Sequence, residues 1–218
     1  LPKGWKVICA GNRATDRAGS NKLPSHVVGR CTMIDFEHST DDWLAWASKN
    51  DICSDILGFI SFQPELLNDF DPKITTPQPS PRSWARLSDT LKIDPPKEVL
   101  QLIVQGDIGE RASIEFMSFL SLKNDVPNLQ DICEGGDVEV VDSGGLMYAT
   151  VCALVSVIKE ASDSNLHDYF ANALDYIEKF PTPEFGIFFV RSLVGARSDI
   201  VDSSRYGEFK IKNQDLEV

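Results

Sequence analysis

Apolar residues recur at intervals of three and four positions over most of the chain after residue 39, a spacing typical of amphipathic helices. Seven such runs stand out. They comprise Trp43, Leu44 and Ala47; Ile52, Ile56, Phe59 and Ile60; Val99, Leu102 and Ile103; Ile114, Met117 and Leu120; Ala149, Ala153, Leu154, Val157 and Ile158; Leu166, Phe170, Ala173, Leu174 and Ile177; and Phe185, Phe188, Phe189 and Leu193. We expect these residues to form a helical core.

Two short apolar runs near the start of the chain have the pattern of buried strands instead. They are residues 5–10 and 32–36, separated by a polar loop and a predicted short helix near residues 24–29. Neither run has a hairpin partner, although buried strands need neighbours to pair their backbone groups. We therefore expect the α/β part to be incomplete and the chain to be a piece of a longer protein. The strands should pair with another chain, rearrange or be poorly ordered.

Capping residues and prolines predict where several helices begin and where the chain crosses between them. Ser39 or Thr40, followed by two aspartates, suits a helix N-terminus. Residues 71–81 contain four prolines and predict a stiff, extended connector. A helix should start near Pro81, since proline is tolerated in a first turn. Residues 134–145, rich in Gly, Asp and Val, indicate a mobile loop with a possible short strand.

Composition and charge narrow the classes of function. The chain has 218 residues and a net charge of 21 − 33 = −12. Residues 1–40 carry six basic and three acidic groups, and the remainder carries 15 and 30. A chain with this negative charge is a poor candidate for nucleic-acid binding. The sequence also contains no run of about 18 apolar residues, so it predicts no membrane span. The wide spacing of the five cysteines argues against disulfides or zinc and favours the cytoplasm; they are Cys9, Cys31, Cys53, Cys133 and Cys152.

Two short blocks contain the candidate functional residues. In the first, a strand ends at Gly11-Asn12, and Arg30 follows a short helix. Taken alone, Asn12 fits a turn residue and Arg30 a surface ion pair. In the second block, Pro81-Arg82-Ser83-Trp84 places an arginine in the first turn of a helix. A cation there is mildly unfavourable for the helix, which points to an anionic partner.

The order of these blocks along the chain resembles the order of motifs in the MoxR-type branch of the AAA+ ATPases, including its phage-related members. Val7 to Asn12 is similar to the sensor-1 strand, and Leu23-Pro24-Ser25 through Arg30 is similar to the helix that ends in the arginine finger. Pro81-Arg82-Ser83-Trp84 is similar to the sensor-2 motif that opens a lid helix. The resemblance covers residues 1–92 well and the rest loosely.

The resemblance implies an α+β fold that is mainly α. Residues 1–38 would be a truncated AAA+ α/β remnant carrying sensor 1 and the arginine finger. Residues 39–133 would be a helical lid with sensor 2, and residues 134–218 a helical C-terminal region. The complete protein would bind ATP and Mg²⁺, assemble as a cytoplasmic ring with six subunits as the expected number, and couple ATP hydrolysis to the remodelling of a protein client.

The same resemblance implies a role for each motif residue. Asn12 would be sensor 1, Arg30 a finger acting on the neighbouring subunit, and Arg82 sensor 2. Arg13 and Arg17 would lie at the subunit interface. No metal site is implied within this chain.

This sequence departs from the family pattern at important points. Cys31 follows Arg30 where the family usually has an aromatic residue, and no GxxxxGK[ST] phosphate loop occurs. No apolar strand ending in paired acidic residues precedes the sensor strand either. In the family those parts lie upstream, so we expect this chain to be inactive alone and to bind no nucleotide tightly.

The alternative is a non-catalytic helical interaction domain. It would use the acidic helices after residue 95 to bind a basic partner. A phosphate loop encoded upstream of Leu1 would separate the two hypotheses.

Overall fold

The computed structural model describes residues 2–11 and 23–213, and within these ranges the protein is mainly helical and contains no β-strand. The α-helices are α1 (Ser25–Val28), α2 (Thr40–Lys49), α3 (Ser54–Phe62), α4 (Pro81–Leu91), α5 (Lys97–Ile108), α6 (Glu110–Ser121), α7 (Leu129–Cys133), α8 (Gly144–Lys159), α9 (Asp163–Ile177), α10 (Glu184–Val194) and α11 (Ser204–Lys212). Short 3-10 turns cover Pro64–Leu67, Leu122–Asn124 and Ser198–Asp202. The expectation of a mainly α protein is confirmed.

The predicted helix starts are confirmed. Ser39 is the N-cap of α2, and its hydroxyl accepts a hydrogen bond from the Asp42 amide at 3.2 Å. At α4, Ser80 and Ser83 form a reciprocal capping box, and Pro81 occupies the first turn. Each cap satisfies amide groups that have no partner inside the helix.

Residues 71–80, between the 3-10 turn at Pro64–Leu67 and α4, form neither helix nor strand, as the prolines predict. The connector is not fully extended, because it turns at Asp71–Ile74. The Gln78 side chain donates hydrogen bonds to the Asp71 carbonyl at 3.0 Å and to the Ile74 carbonyl at 3.2 Å.

An aromatic cluster organises the first hydrophobic core, which α2 to α6 build with one side of α8. Phe59, Trp84 and Phe116 are completely buried, with ring centroids 5.2–5.5 Å apart. The Trp84 indole N–H donates a hydrogen bond to the Leu66 carbonyl at 2.8 Å, so its polar group is satisfied inside the core. Trp84 therefore faces the core, and Arg82 of the same turn faces solvent.

The second core is built by α7 to α11. Leu154, Ile158, Phe170, Leu174 and Phe189 are completely buried, as their spacing predicts. The Phe170 and Phe189 rings stack at a centroid distance of 5.8 Å. Phe188, which we expected to be buried, is half-buried and packs against both cores.

Helix α8 belongs to both cores. Ala149 and Cys152 pack into the first core, whereas Val151, Leu154 and Val155 pack into the second. The apolar residues of α8 therefore surround most of the helix, as expected for a buried central element. The predicted boundary between residues 133 and 134 lies close to the start of the second core, but α8 joins the two regions.

The predicted core face of α5 is wrong. Val99 is 41% exposed and Leu102 is 68% exposed, while Val104 and Ile108 are completely buried. Because α5 has apolar residues on both sides, periodicity alone does not determine which side faces the core.

The same correction applies in part to α6. Ile114 is 55% exposed, whereas Phe116 and Phe119 pack into the first core. The two phenylalanines are larger than the residues of the predicted stripe, so burying them removes more apolar area from water.

The loop of residues 134–143 contains no strand, contrary to the possibility that its composition suggested. The Tyr176 hydroxyl of α9 donates a hydrogen bond to the Glu139 carbonyl at 3.0 Å. At its start, the Gly136 amide donates to the Asp131 carbonyl at 2.7 Å. Side-chain and turn contacts, rather than a sheet, therefore hold this loop against the helices.

We predict that Leu174→Ala lowers the free energy of unfolding by about 2–5 kcal/mol, because it leaves a cavity at a fully buried site. Urea denaturation followed by circular dichroism measures this change. Ile211→Ala on α11 is the control, since Ile211 is 69% exposed and should change stability by less than about 0.5 kcal/mol. Equal effects of the two substitutions would contradict the assignment of Leu174 to the core.

We also predict that Gly58→Ala destabilises the protein, by about 1–3 kcal/mol, because the added methyl group would overlap the buried Cys152 sulfur of α8. Combining it with Cys152→Ala removes the sulfur and should recover part of that loss. A double-mutant cycle by urea denaturation measures the coupling. Strictly additive effects would show that α3 and α8 do not approach closely at this point.

Candidate functional site

The N-terminal arm, defined as residues 2–11 and 23–38, contains the first group of candidate residues. The predicted strands at residues 5–10 and 32–36 are not strands in the structure, and most of their apolar side chains face solvent. Ile8 and Phe36 are each 94% exposed, and Ile34 is 80% exposed. A strand requires a hydrogen-bonded neighbour, and the described part of the chain provides none for either segment.

Arg30 lies just after α1, the predicted short helix, which has no buried residue. Its guanidinium donates a hydrogen bond to the His26 carbonyl at 2.7 Å, at the C-terminal end of this helix. A cation is favourable at a helix C-terminus. A guanidinium has five N–H donors, so this single bond leaves most of the exposed group able to contact an anion.

Arg82 lies in the first turn of α4 and is exposed. Within the described residues it has no hydrogen-bonded or ion-paired partner, whereas the next arginine of the helix, Arg86, pairs with Asp107 at 2.6 Å. The capping box and buried Trp84 fix the position of this turn. Arg191 of α10 is also exposed and lacks a carboxylate partner among the described residues. An exposed arginine without an ion pair is therefore not unique to the two motif positions, Arg30 and Arg82.

The structure does not join the candidate residues into one site. Asn12, the predicted sensor, and the predicted interface residues Arg13 and Arg17 lie outside the described residues. Among the described residues, no hydrogen bond or ion pair links Arg30 with Arg82 or with another residue of α4.

Two open cavities lie elsewhere. One, of about 440 Å³, is lined by Phe36, Glu37, His38, Asn68 and Phe70, where the N-terminal arm meets the helices. The other, of about 540 Å³, lies along α7 and α9 and includes Glu134, Asp168 and Tyr169 among its lining residues. Neither arginine lines these cavities.

A polar cluster that the sequence does not reveal lies at the start of α3. The Lys123 ammonium is 2.7 Å from both Asp55 carboxylate oxygens, but only Oδ2 accepts a hydrogen bond with good geometry. Nearby, the Cys152 thiol donates to the Ser54 carbonyl at 3.1 Å. Asp55 and Lys123 are 68 residues apart, and no short-range motif connects them.

The electrostatics of this cluster argue for a structural role. Burial, with a contribution from the Asp55 carboxylate, raises the pKa of the Cys53 thiol. Partial burial disfavours the charged form of Lys123, but the adjacent Asp55 outweighs it and raises the pKa of Lys123. The thiol therefore stays protonated and poorly nucleophilic, while the lysine stays cationic beside the buried carboxylate.

None of the helices in residues 2–11 and 23–213 is both long and apolar enough to cross a membrane. Over the same ranges, no group of three or more His, Cys, Asp or Glu side chains is placed to hold a metal ion.

Comparison of the chain with protein-family models, with curated proteins and with solved structures found no match. The resemblance stated above therefore depends on the motif residues themselves, and the activity it implies is a proposal.

We predict that the five cysteines react in two groups. Cys9 and Cys31 are exposed, whereas burial raises the pKa of Cys133 to about 11 and that of Cys152 well above its usual range. At about pH 8, iodoacetamide should therefore modify the two exposed thiols quickly and the other three only after unfolding in urea. Mass spectrometry of the alkylated protein counts the modified residues. Rapid modification of Cys152 in the native protein would contradict its burial.

Proposed function

We propose that this chain is the sensor and lid portion of a MoxR-type AAA+ ATPase. The complete ring-forming enzyme would hydrolyse ATP to remodel a protein client, and this portion would be inactive alone. The phosphate loop that cradles the nucleotide would lie outside residues 1–218, since the chain contains no such motif.

The exposed apolar arm is the observation that carries this proposal. Trp5, Ile8, Ile34 and Phe36 are 69–94% exposed, although their segments have the composition of buried strands. The helices from α2 onwards, by contrast, bury two well-packed cores. One end of an otherwise packed protein is thus uncovered, and the central strands of an AAA+ α/β domain would cover it.

Arg30 suits the role of a finger because of its position. It lies on this uncovered arm, its side chain is exposed, and the guanidinium makes only one hydrogen bond to a described residue, to the His26 carbonyl. A permanent cation there could approach a phosphate held by a neighbouring subunit. Its charge would stabilise the negative charge that develops on the transferred phosphoryl group, so it would act on the transition state more than on binding.

Arg82 suits a role within its own subunit. The rigid first turn of α4 presents it, and the buried Trp84 anchors that turn in the first core. It would hold nucleotide phosphate between the lid and the α/β domain. The described residues offer no cluster that could bind Mg²⁺, so the metal ligands would belong to the same missing portion as the phosphate loop.

The full-length product of the gene that encodes this chain tests the proposal. Arg30→Ala should preserve nucleotide affinity and reduce ATP hydrolysis by about 10³-fold or more. Arg191→Ala is the matched control, because Arg191 is an exposed arginine without a carboxylate partner among the described residues and should leave the rate unchanged. Steady-state phosphate release and fluorescent-nucleotide binding measure the two effects.

Mixing subunits tests action across the interface. Arg30→Ala subunits are combined with subunits disabled in the phosphate loop; each is inactive alone, but a mixed ring contains interfaces with an intact finger and an intact cradle. Recovered hydrolysis supports the assignment. If mixed rings form and remain inactive, the finger role of Arg30 is wrong, and a full-length product without a phosphate loop would overturn the whole proposal.

The second candidate is the non-catalytic helical interaction domain. The packed cores of α2 to α11 favour it, since they account for the helical region without any α/β domain. It leaves the uncovered apolar arm unexplained.

A further inference from the structure

Helix α11 is attached to the second core mainly through one side chain. Phe209 is its single buried residue, whereas α9 and α10 bury six residues each. The Phe209 ring lies directly on the backbone of α10 at Gly186, because a Cβ added to Gly186 would be 3.0 Å from a ring atom. The same Cβ would be 3.8 Å from the Leu174 side chain of α9. One aromatic ring therefore anchors α11 where α9 and α10 meet.

Two cations of α11 lie on either side of this anchor and share one carboxylate. The Lys212 ammonium is 3.0 Å from Glu178, at the C-terminal end of α9. The Arg205 guanidinium pairs with Glu178 as well, and with Asp175 at 2.8 Å. Partial burial disfavours the charged form of Glu178, but the two cations outweigh it and lower the pKa of Glu178. Since Arg205, Phe209 and Lys212 are spaced by four and three residues, they lie on one face of the helix.

The charge of α11 is opposite to that of the rest of the chain. Residues 204–212 carry three basic groups and one acidic group, a net charge of 3 − 1 = +2. The other residues carry 18 basic and 32 acidic groups, a net charge of 18 − 32 = −14. Residues 163–178, which form α9 and its C-terminal end, contain four acidic groups and neither lysine nor arginine. Electrostatic attraction therefore favours the docked position of α11, and salt weakens that attraction.

The segment just before α11 is held far more firmly. Ile200, in the last 3-10 turn, is completely buried. The Arg197 guanidinium donates hydrogen bonds to the Lys159 carbonyl at 3.2 Å and to the Ala161 carbonyl at 3.1 Å. These bonds tie the turn to the C-terminal end of α8. If α11 leaves the second core, the chain should therefore pivot near Ser203 and the turn should stay in place.

We propose that α11 is a strap that opens and closes as a unit while α7 to α10 stay folded. The two cations would direct closing, and the Phe209 ring would fix the closed position. Elements with few buried apolar side chains are the ones that open locally. Opening would uncover the Gly186 backbone and the Glu178 carboxylate together, an apolar floor beside an acidic group. The strap goes beyond the proposed function, because it requires neither nucleotide nor the two motif arginines.

Native-state hydrogen exchange of the 218-residue chain, followed by mass spectrometry, tests the strap. The backbone amides of α11 should exchange at least about tenfold faster than those of α9 and α10, through an opening that leaves these two helices protected. Raising the salt concentration to about 1 M should accelerate the exchange of α11 further, because it screens the pairs with Glu178 and Asp175. The exchange of α9 and α10 should change less.

Three variants separate the strap from the core. Glu178→Gln removes the shared negative charge and should accelerate exchange of α11 by about fivefold, with α10 unchanged. Asp168→Asn is the matched control, because Asp168 is an exposed carboxylate of α9 without an ion pair to a described residue, and it should leave α11 unchanged. Phe209→Ala removes the anchor, so exchange of α11 should approach that of an unfolded chain while α9 and α10 stay protected.

Three results would overturn the proposal. Equal protection of α9, α10 and α11 in the unmodified chain would show that α11 is an integral part of the second core. Equal effects of Glu178→Gln and Asp168→Asn on α11 would reject the shared carboxylate as its attachment. Loss of protection in α9 and α10 together with α11 in Phe209→Ala would show that the second core does not stay folded without this helix.

Discussion

The packing of α8 between two hydrophobic cores determines the arrangement of the other helices. On one side it meets α3, where Gly58 lets the two helices approach so closely that the Cys152 thiol reaches the Ser54 carbonyl at 3.1 Å. On the other side it buries Leu154 and Ile158 against α9 and α10. A helix buried on both sides must be apolar around most of its surface. Both cores therefore depend on one element, and a loss of packing at α3 and α8 affects the whole helical region.

Strong periodicity and local capping made much of this helical region predictable. The N-cap of α2 and the capping box of α4 depend on residues three positions apart, so the sequence contains the full signal. Helices α9 and α10 each have one dominant apolar face, and their predicted core residues are almost all buried. The prediction was wrong at α5 and in part at α6, because each has apolar residues on two sides. Only the tertiary packing selects which side is buried.

The Asp55–Lys123 cluster and the N-terminal arm were less predictable, for a different physical reason. The ion pair between Asp55 and Lys123 joins residues far apart in sequence, so no local pattern indicates it. The N-terminal arm has the local composition of strands, but strand formation depends on hydrogen-bonded neighbours, which the described residues do not provide. Sequence pattern correctly identified the apolar character of residues 5–10 and 32–36 and failed to predict their conformation. Local composition therefore indicates that these segments favour a strand conformation, whereas the surrounding structure determines whether a neighbouring strand is present to pair with them.

The two uncovered surfaces have different physical requirements. The arm exposes apolar residues together with backbone groups that lack strand partners, so a complementary sheet would satisfy both. The exposed side of α5, which includes Val99 and Leu102, already has its backbone groups paired within a helix, so only side chains are uncovered there. An α/β domain would therefore suit the arm, whereas the exposed side of α5 needs no strand partner. Because α5 packs into the first core through its opposite face, that core does not depend on the exposed side.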